Sequence, residues 1–423
     1  MKYKTIRGTR DILPDESSGW QRIEDISRNI FKKCGYREIR TPVMEETALF
    51  IKSVGEDTDI VNKEMFSFED RGGRNISLRP EGTAPIVRAY LENNLYKTDP
   101  FQKLYYIGPM FRAERPQAGR MRQFYQIGLE AIGSTSPAVD AEVIKIAMRI
   151  LEDSDIKGCQ LKINNLGCSK DKEELKKILK KTFSDKGTAE ILCEDCKRRL
   201  KTNPLRVLDC KNENCRAIVK GSFKKAEFLC GDCKDHFNKV LGFLDSLKIP
   251  YDVDNHIVRG LDYYTRTVFE ITQRDLGAQD AIGAGGRYDN LISDMGGPAL
   301  GACGFALGLD RMILAWGRKT GGDLKKHGAD VFVATIGESP YSKAFVIANV
   351  LRDAGISCEM DYEGKSLKSQ MRTADALGVR FVLIIGDDEL RQNKVLIKDM
   401  AKKDDQVPVD TDHIIEEVRK RIC

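Results

Sequence analysis

Histidine is scarce in this chain: four residues in 423, at His236, His256, His327 and His413. A Ser-His-Asp or Cys-His hydrolase would have to draw its general base from that short set, and none of the four stands in a motif, which argues against such chemistry. Long apolar runs are missing too. Nothing approaches the roughly 20 residues of a membrane span, and Met1-Lys2-Tyr3-Lys4 is not followed by the apolar core of a secretory signal. The expectation is a cytoplasmic protein with no membrane partner, whose 12 cysteines are reduced thiols or metal ligands rather than disulfides. Charge of one sign is also lacking. A net charge of +5 does not by itself call for a nucleic acid, although 69 Lys and Arg suffice for local basic faces. Two phosphate-loop patterns fail as well. Gly364-Lys365-Ser366 imitates the end of a P-loop, but position 359 is Glu where the first glycine belongs. Gly283-Ala284-Gly285-Gly286 is too short for a dinucleotide-binding loop.

What is present is a soluble, globular composition, 41% hydrophobic and 31% charged, long enough for two to three domains at about 150 residues each. Trp20, Ile23, Ile26, Ile30 and Phe31 share a helical face within 17–34, and an extended run follows to Pro42. Residues 101–132 alternate like a long antiparallel hairpin. Residues 170–250 are Lys-rich, helical in period and hold six cysteines, as an insertion in a larger domain would; strand-like segments return at 265–272 and 301–306. A charged stretch, 317–328, reads as a linker. Beyond it strand, helix, strand, helix, strand alternate at 331–334, 340–354, 358–361, 367–377 and 381–385, predicting a small α/β domain with a largely parallel core.

The return strand of the hairpin places Phe124, Gln126, Gly128 and Glu130 on one face and Tyr125, Ile127, Leu129 and Ala131 on the other. One face is polar with an aromatic, the other apolar, as a sheet with a substrate floor and a packed back requires. Arg112 closes the outgoing strand, and its planar guanidinium suits bidentate contact with phosphate oxygens. The connecting loop, 114–122, carries Arg115, Gln117, Arg120 and Arg122, a set suited to RNA phosphates and base edges. Arg311 follows Gly308-Leu309-Asp310 in a strand-turn-helix pattern that puts it near a helix N-terminus, where anions are favoured.

Arg259-Gly260-Leu261-Asp262-Tyr263-Tyr264 and Gly285-Gly286-Arg287-Tyr288 resemble the two signature motifs of histidyl-tRNA synthetases. Phe111-Arg112-Ala113-Glu114 and Gly308-Leu309-Asp310-Arg311 resemble two of the three general motifs of class II aminoacyl-tRNA synthetases, and the segment ending at Pro42 resembles the remaining one, a dimer-interface helix and strand. The resemblance implies an α+β fold: a class II antiparallel catalytic sheet with helices over residues 1–325, a helical insertion at about 170–250, and an anticodon-binding α/β domain at 326–423. It implies a homodimer that uses ATP with Mg2+ to activate L-histidine as an adenylate and then charges tRNA(His).

Residue roles come with it. Arg112 would grip the α-phosphate, Glu114 the adenine end, Phe124 would stack on adenine and Arg311 would take the γ-phosphate. Arg259 would stand near the α-phosphate, where related enzymes rely on a metal ion, and stabilise transition-state charge. Glu81, Thr83, Gln126 and Glu130 match histidine-binding positions, together with Arg259, Tyr263, Tyr264 and Tyr288. Glu81 and Glu130 suit the substrate ammonium, Tyr264 and Tyr288 its ring. Many relatives carry Asp-Leu-Thr where this chain has Glu81-Gly82-Thr83. Arg115 and Gln117 would meet the acceptor end of the tRNA, including its extra 5′ guanosine. One rival is a regulatory histidine-binding paralogue that serves histidine biosynthesis; it typically lacks the C-terminal domain and has eroded phosphate motifs. The other is a non-catalytic RNA-binding or interaction protein on a synthetase scaffold, which would tolerate loss of the phosphate arginines.

The cysteines leave two readings open. Cys193 and Cys196, with Cys230 and Cys233, are two C-x-x-C knuckles able to supply four thiolates to a structural zinc ion, and the Cys210/Cys215 pair makes the choice of four ambiguous. Alternatively, all pack as small apolar residues without metal.

Overall fold

The computed structural model describes residues 3–117, 119–183, 191–208, 210, 212–222, 228–277, 280–320, 329–402 and 406–422. The chain divides into two compact units near residue 322.

The larger unit is built on an eight-stranded sheet whose spatial order is Arg37–Glu38, Gln102–Phe111, Gln123–Ile132, Ala302–Gly308, Ala281–Arg287, Thr265–Gln273, Cys159–Asn165 and Asp252–Val253. The inner pairs are antiparallel and the two outermost pairs parallel. The predicted hairpin is there, with Phe111 opposite Gln123 and Gln102 opposite Ile132. Its apolar back carries Ile127, Leu129 and Ala131, all buried. The helix Pro14–Lys33 lays Trp20, Ile23, Ile30 and Phe31 on this body. The Phe31 ring stacks on Tyr105 at 4.5 Å, and Trp20 meets Tyr125 edge-on at 5.2 Å.

The strand Ala281–Arg287 lies at the centre of the sheet, between Thr265–Gln273 and Ala302–Gly308. Its glycines answer to close packing. A Cβ at Gly285 would stand 2.2 Å from the carbonyl oxygen of Gly304 and 2.7 Å from the Phe269 ring, and one at Gly283 would stand 2.2 Å from Leu307. The glycine-rich signature is therefore a tightly flanked strand.

Among the described residues the insertion carries the helices Ser169–Phe183, Glu194–Thr202, Glu213–Ser222 and Gly231–Ser246 with a 3-10 turn Pro204–Val207, and it joins the main unit's core through Leu175, Leu179, Phe183 and Val207. The stretch read as a linker begins inside a helix, Leu309–Thr320, and its remainder, 321–328, lies outside the described residues.

The smaller unit carries a five-stranded sheet ordered Cys358–Met360, Val331–Thr335, Phe381–Ile385, Lys394–Asp399, Gln406–Asp410. The first three strands are parallel, as the alternating pattern predicted, and the last two add antiparallel. Every residue of Val331–Thr335 and Phe381–Ile385 is buried, because helices cover both faces. Among the described residues no helix is long and apolar enough to cross a membrane.

Candidate active site

A cavity of about 770 Å³ opens over the polar face of the hairpin. Glu81, Thr83, Arg112, Glu114, Phe124, Gln126, Arg259, Tyr263, Tyr264, Tyr288 and Arg311 all line it. Of the residues expected to meet histidine, ATP or tRNA, Glu130, Arg115 and Gln117 lie off its wall. Glu130 sits directly behind it, 1% exposed, whereas Arg115 and Gln117 are exposed on the loop.

The arginines are held by their backbones' neighbours. Arg112 follows the strand Gln102–Phe111, donates from Nε to the Pro80 carbonyl at 2.9 Å, and spreads over the Phe124 ring at 5.3 Å. Glu114 lies 3.8 Å from Arg112 and 2.9 Å from Arg120. Arg311 stands in the first turn of the helix Leu309–Thr320 and donates to the carbonyls of Gly119, at 3.1 Å, and Ala281. Arg259 pairs with Glu270 through Nη1 at 2.7 Å, while its buried Nε has no hydrogen-bond partner among the described residues. The side-chain oxygen of Gln126 is likewise buried and unpartnered. Buried polar atoms without partners are costly, so both mark where a polar ligand would be welcomed.

Two carboxyls underlie the cavity, Glu81 on its wall and Glu130 behind. Glu81 accepts the backbone amides of Thr83 and Ala84 at 2.7 and 2.8 Å, at the start of the helix Thr83–Glu92. Burial pushes its pKa up, against those amides and Arg112. Glu130 accepts the Thr83 hydroxyl at 2.7 Å and the Tyr288 hydroxyl. Burial pushes its pKa up to about 8, and the hydroxyl donors offset only part of that. Tyr288 is 1% exposed and spends its hydroxyl on Glu130. It therefore buttresses a carboxyl while its side chain stays on the cavity wall. A Cβ at Gly304 would lie 1.9 Å from Glu130 Oε2, so glycine there makes room for the carboxyl.

Arg287, read only as part of a motif, is a structural keystone. It is fully buried and bonds Asp140, Asp289 and the carbonyls of Ser134 and Ser136, while His236 Nε2 meets the same Asp140 at 2.8 Å. Burial raises the Asp140 pKa, but Arg287 and His236 outweigh it and hold the carboxyl below its usual range. The residue after this anchor is Tyr288.

Sequence reasoning missed Tyr106, Glu270 and the cluster of Asp59, Arg199 and Arg206, all on the cavity wall. Asp59 binds Arg199 at 3.0 Å and Arg206 at 2.7 Å. Tyr106 had a signal: it stands opposite Gly128, and a strand glycine marks a large neighbour. It also explains Gly82, whose Cβ would lie 2.3 Å from the Tyr106 ring.

The four-thiolate set drawn from the two C-x-x-C knuckles is not assembled. Cys193 and Cys196 gather with Cys210 and Cys215, whereas Cys230 and Cys233 gather with Cys168 and Asp171. Each knuckle opens a different helix and meets the segment packed beside that helix.

Comparison with known proteins agrees with this geometry. The family model for histidyl-tRNA synthetase matches residues 8–312, and that for an anticodon binding domain matches residues 330–421. The chain belongs to the histidyl-tRNA synthetase family. A histidine–tRNA ligase of Halothermothrix orenii is 48% identical over 426 residues, covering 100% of both chains. That of Pelotomaculum thermopropionicum is 49% identical over 416 residues, 98% of this chain and 97% of its own. The crystal structure of apo S. aureus histidyl-tRNA synthetase superposes with a TM-score of 0.80 at 36% identity, covering 99% of this chain and 100% of that one. Class II synthetases of this family share the antiparallel catalytic sheet and appended anticodon-binding domain described above.

Proposed function

We propose that this chain activates L-histidine with ATP, forming histidyl-adenylate and pyrophosphate, and then transfers histidine to the 3′ end of tRNA(His). The observation that carries this reading is one cavity lined by Arg112, Arg259 and Arg311 together with Glu81, Gln126 and Tyr264 and backed by Glu130. The substrate carboxylate is already ionised at neutral pH and needs no protein base. The chemistry needs fixed cations around the α-phosphorus as pyrophosphate leaves. Arg259 and Arg112 are assigned the α-phosphate, Arg311 the γ-phosphate, and Phe124 and Glu114 the adenine. Glu81 and Glu130 are assigned the substrate ammonium and Tyr264 the imidazole, with Thr83, Gln126 and Tyr263 completing the pocket and Tyr288 holding Glu130. Glu270, a hard oxygen donor on the cavity wall, would hold the Mg2+ that accompanies ATP, which would neutralise phosphate charge.

Residues 1–325 act as the catalytic part and 326–423 as the anticodon-binding part. Arg115 and Gln117, exposed on the hairpin loop, contact the acceptor end of the tRNA. The chain works as a cytoplasmic homodimer; in support, Val43, Met44 and Phe68 expose apolar side chains beside the segment resembling the class II dimer motif. Zinc enters only as a structural ion of the insertion. The regulatory paralogue is not favoured, because the phosphate arginines and the C-terminal unit are all present.

ATP–pyrophosphate exchange with each of the twenty amino acids tests the reading. Exchange with histidine alone is expected. No exchange with any amino acid, from folded protein that still binds histidine, would overturn it.

A further inference from the structure

Four cysteine sulfurs, those of Cys193, Cys196, Cys210 and Cys215, lie within 4.8 Å of one another. Cys193 and Cys210 are 3.8 Å apart, sulfur to sulfur, and all four thiols are free. A tetrahedral ion with Zn–S bonds of about 2.3 Å sets its sulfurs about 3.8 Å apart. We infer that this tetrad binds one Zn2+ ion as a structural site, and that the ion fastens one wall of the cavity.

The local sequence builds the site from three segments. Cys193 is the N-cap of the helix Glu194–Thr202 and Cys196 its third residue. Cys210 follows the turn Pro204–Val207. Cys215 is the third residue of Glu213–Ser222, whose first turn is capped by Asn212 accepting from the amides of Asn214 and Cys215 at 3.0 and 3.3 Å. The Cys193 amide donates to the Cys215 sulfur at 3.2 Å, a bond that favours a thiolate. Four thiolates complete a tetrahedral shell with no open position, which makes the role structural. Soft sulfur donors select zinc-like ions, and the spacing admits one ion but no multi-iron cluster.

Packing without metal explains less. The helix Glu194–Thr202 buries one residue, Cys196, so apolar burial gives it little hold. Ordinary packing also gives no reason for four sulfurs from three segments to converge on one point. The second group, Cys168, Asp171, Cys230 and Cys233, is as compact. There, however, Asp171 already accepts the amides of Cys168 and Cys230 at 3.2 and 3.1 Å, a helix-capping arrangement that needs no ion. The inference is therefore confined to the tetrad.

The site bears on the cavity because Cys193 and Cys210 line it, and the segment between them carries Arg199 and Arg206, which grip Asp59. The inference does not rest on the proposed aminoacylation, since its readouts are metal content and spectra.

The test uses the full chain, purified reduced and without chelator, then reloaded with Zn2+ and washed. Mass-spectrometric metal analysis should find one zinc per chain more in the wild type than in the double variant Cys196→Ser/Cys215→Ser. Cys159→Ser, outside the tetrad, should match the wild type. Wild-type protein loaded with Co2+ should show the intense visible bands of a tetrahedral cobalt thiolate, a readout that requires no variant to fold. Zinc-free wild type after reloading, equal zinc in wild type and double variant, or a pale octahedral cobalt spectrum would each overturn the proposal.

Discussion

Histidine binding should expel a proton from Glu130. The carboxyl is buried behind Thr83 and Tyr288, and burial raises its pKa to about 8. At pH 7 a group with that pKa is about 90% protonated. A substrate ammonium placed beside it favours the carboxylate, so the proton leaves as the cation arrives. The expected release is about 0.9 proton per site at pH 7 and about 0.5 at pH 8. Titration calorimetry in buffers of different ionisation enthalpy reads this number directly. Glu130→Gln keeps the shape, removes the titration, and should release close to none. No release at pH 7 in the wild type, or the same release in Glu130→Gln, refutes the assignment. Folding supplies an independent check. The folded pKa lies above the unfolded value near 4.5, so the native state holds the extra proton between the two. The stability this contributes is fully present below pH ~4.5 and is lost as pH rises through about 8, a few kcal/mol in all. Glu130→Gln should flatten that part of a urea-denaturation pH profile.

Arg259→Ala should lower the adenylation rate about 10²–10³-fold with an unchanged thermal unfolding profile; wild-type pyrophosphate exchange would remove Arg259 from the chemistry. Arg287→Gln removes the guanidinium from a fully buried Asp140, leaving it only His236, and should cost about 3–5 kcal/mol in urea unfolding, whereas an effect on histidine affinity alone would make Arg287 a binding residue. Gly304→Ala puts a methyl within 1.9 Å of Glu130 Oε2 and should raise the KM for histidine about tenfold or more with little change for ATP. Removal of residues 329–423 should weaken tRNA charging far more than pyrophosphate exchange, and equal losses would argue against a separate anticodon-binding part.

The legible parts of the chain are those in which one local rule decides. The hairpin could be read because its alternation is uninterrupted from Phe124 to Ala131, and Val331–Thr335 and Phe381–Ile385 because a strand buried on both faces is apolar throughout. The central strand Ala281–Arg287 was hidden, since glycine has little strand propensity and its use there comes from the backbones on either side. Lys394–Asp399 and Gln406–Asp410 escaped because their charged and polar residues mask the pattern. Most of the cavity residues were found through motifs. Their couplings were not, because Tyr288 and Glu130 are 158 residues apart in sequence and Asp59 and Arg206 147 apart. Cysteine partners were misassigned for the same reason: spacing identifies a knuckle, and only tertiary packing says which knuckle it faces.

The insertion's hold on Asp59 leaves donors unspent. Arg199, Arg206 and, at 3.9 Å, Lys63 share that one carboxylate, and two donors of the buried Arg206 guanidinium, Nε and Nη1, have no partner among the described residues. Glu64 and Asp195 stand on the same wall, so this rim offers directed hydrogen-bond donors rather than a net positive field. An anionic group that reaches it meets guanidinium groups already held in place by Asp59, which lowers the ordering cost of capture.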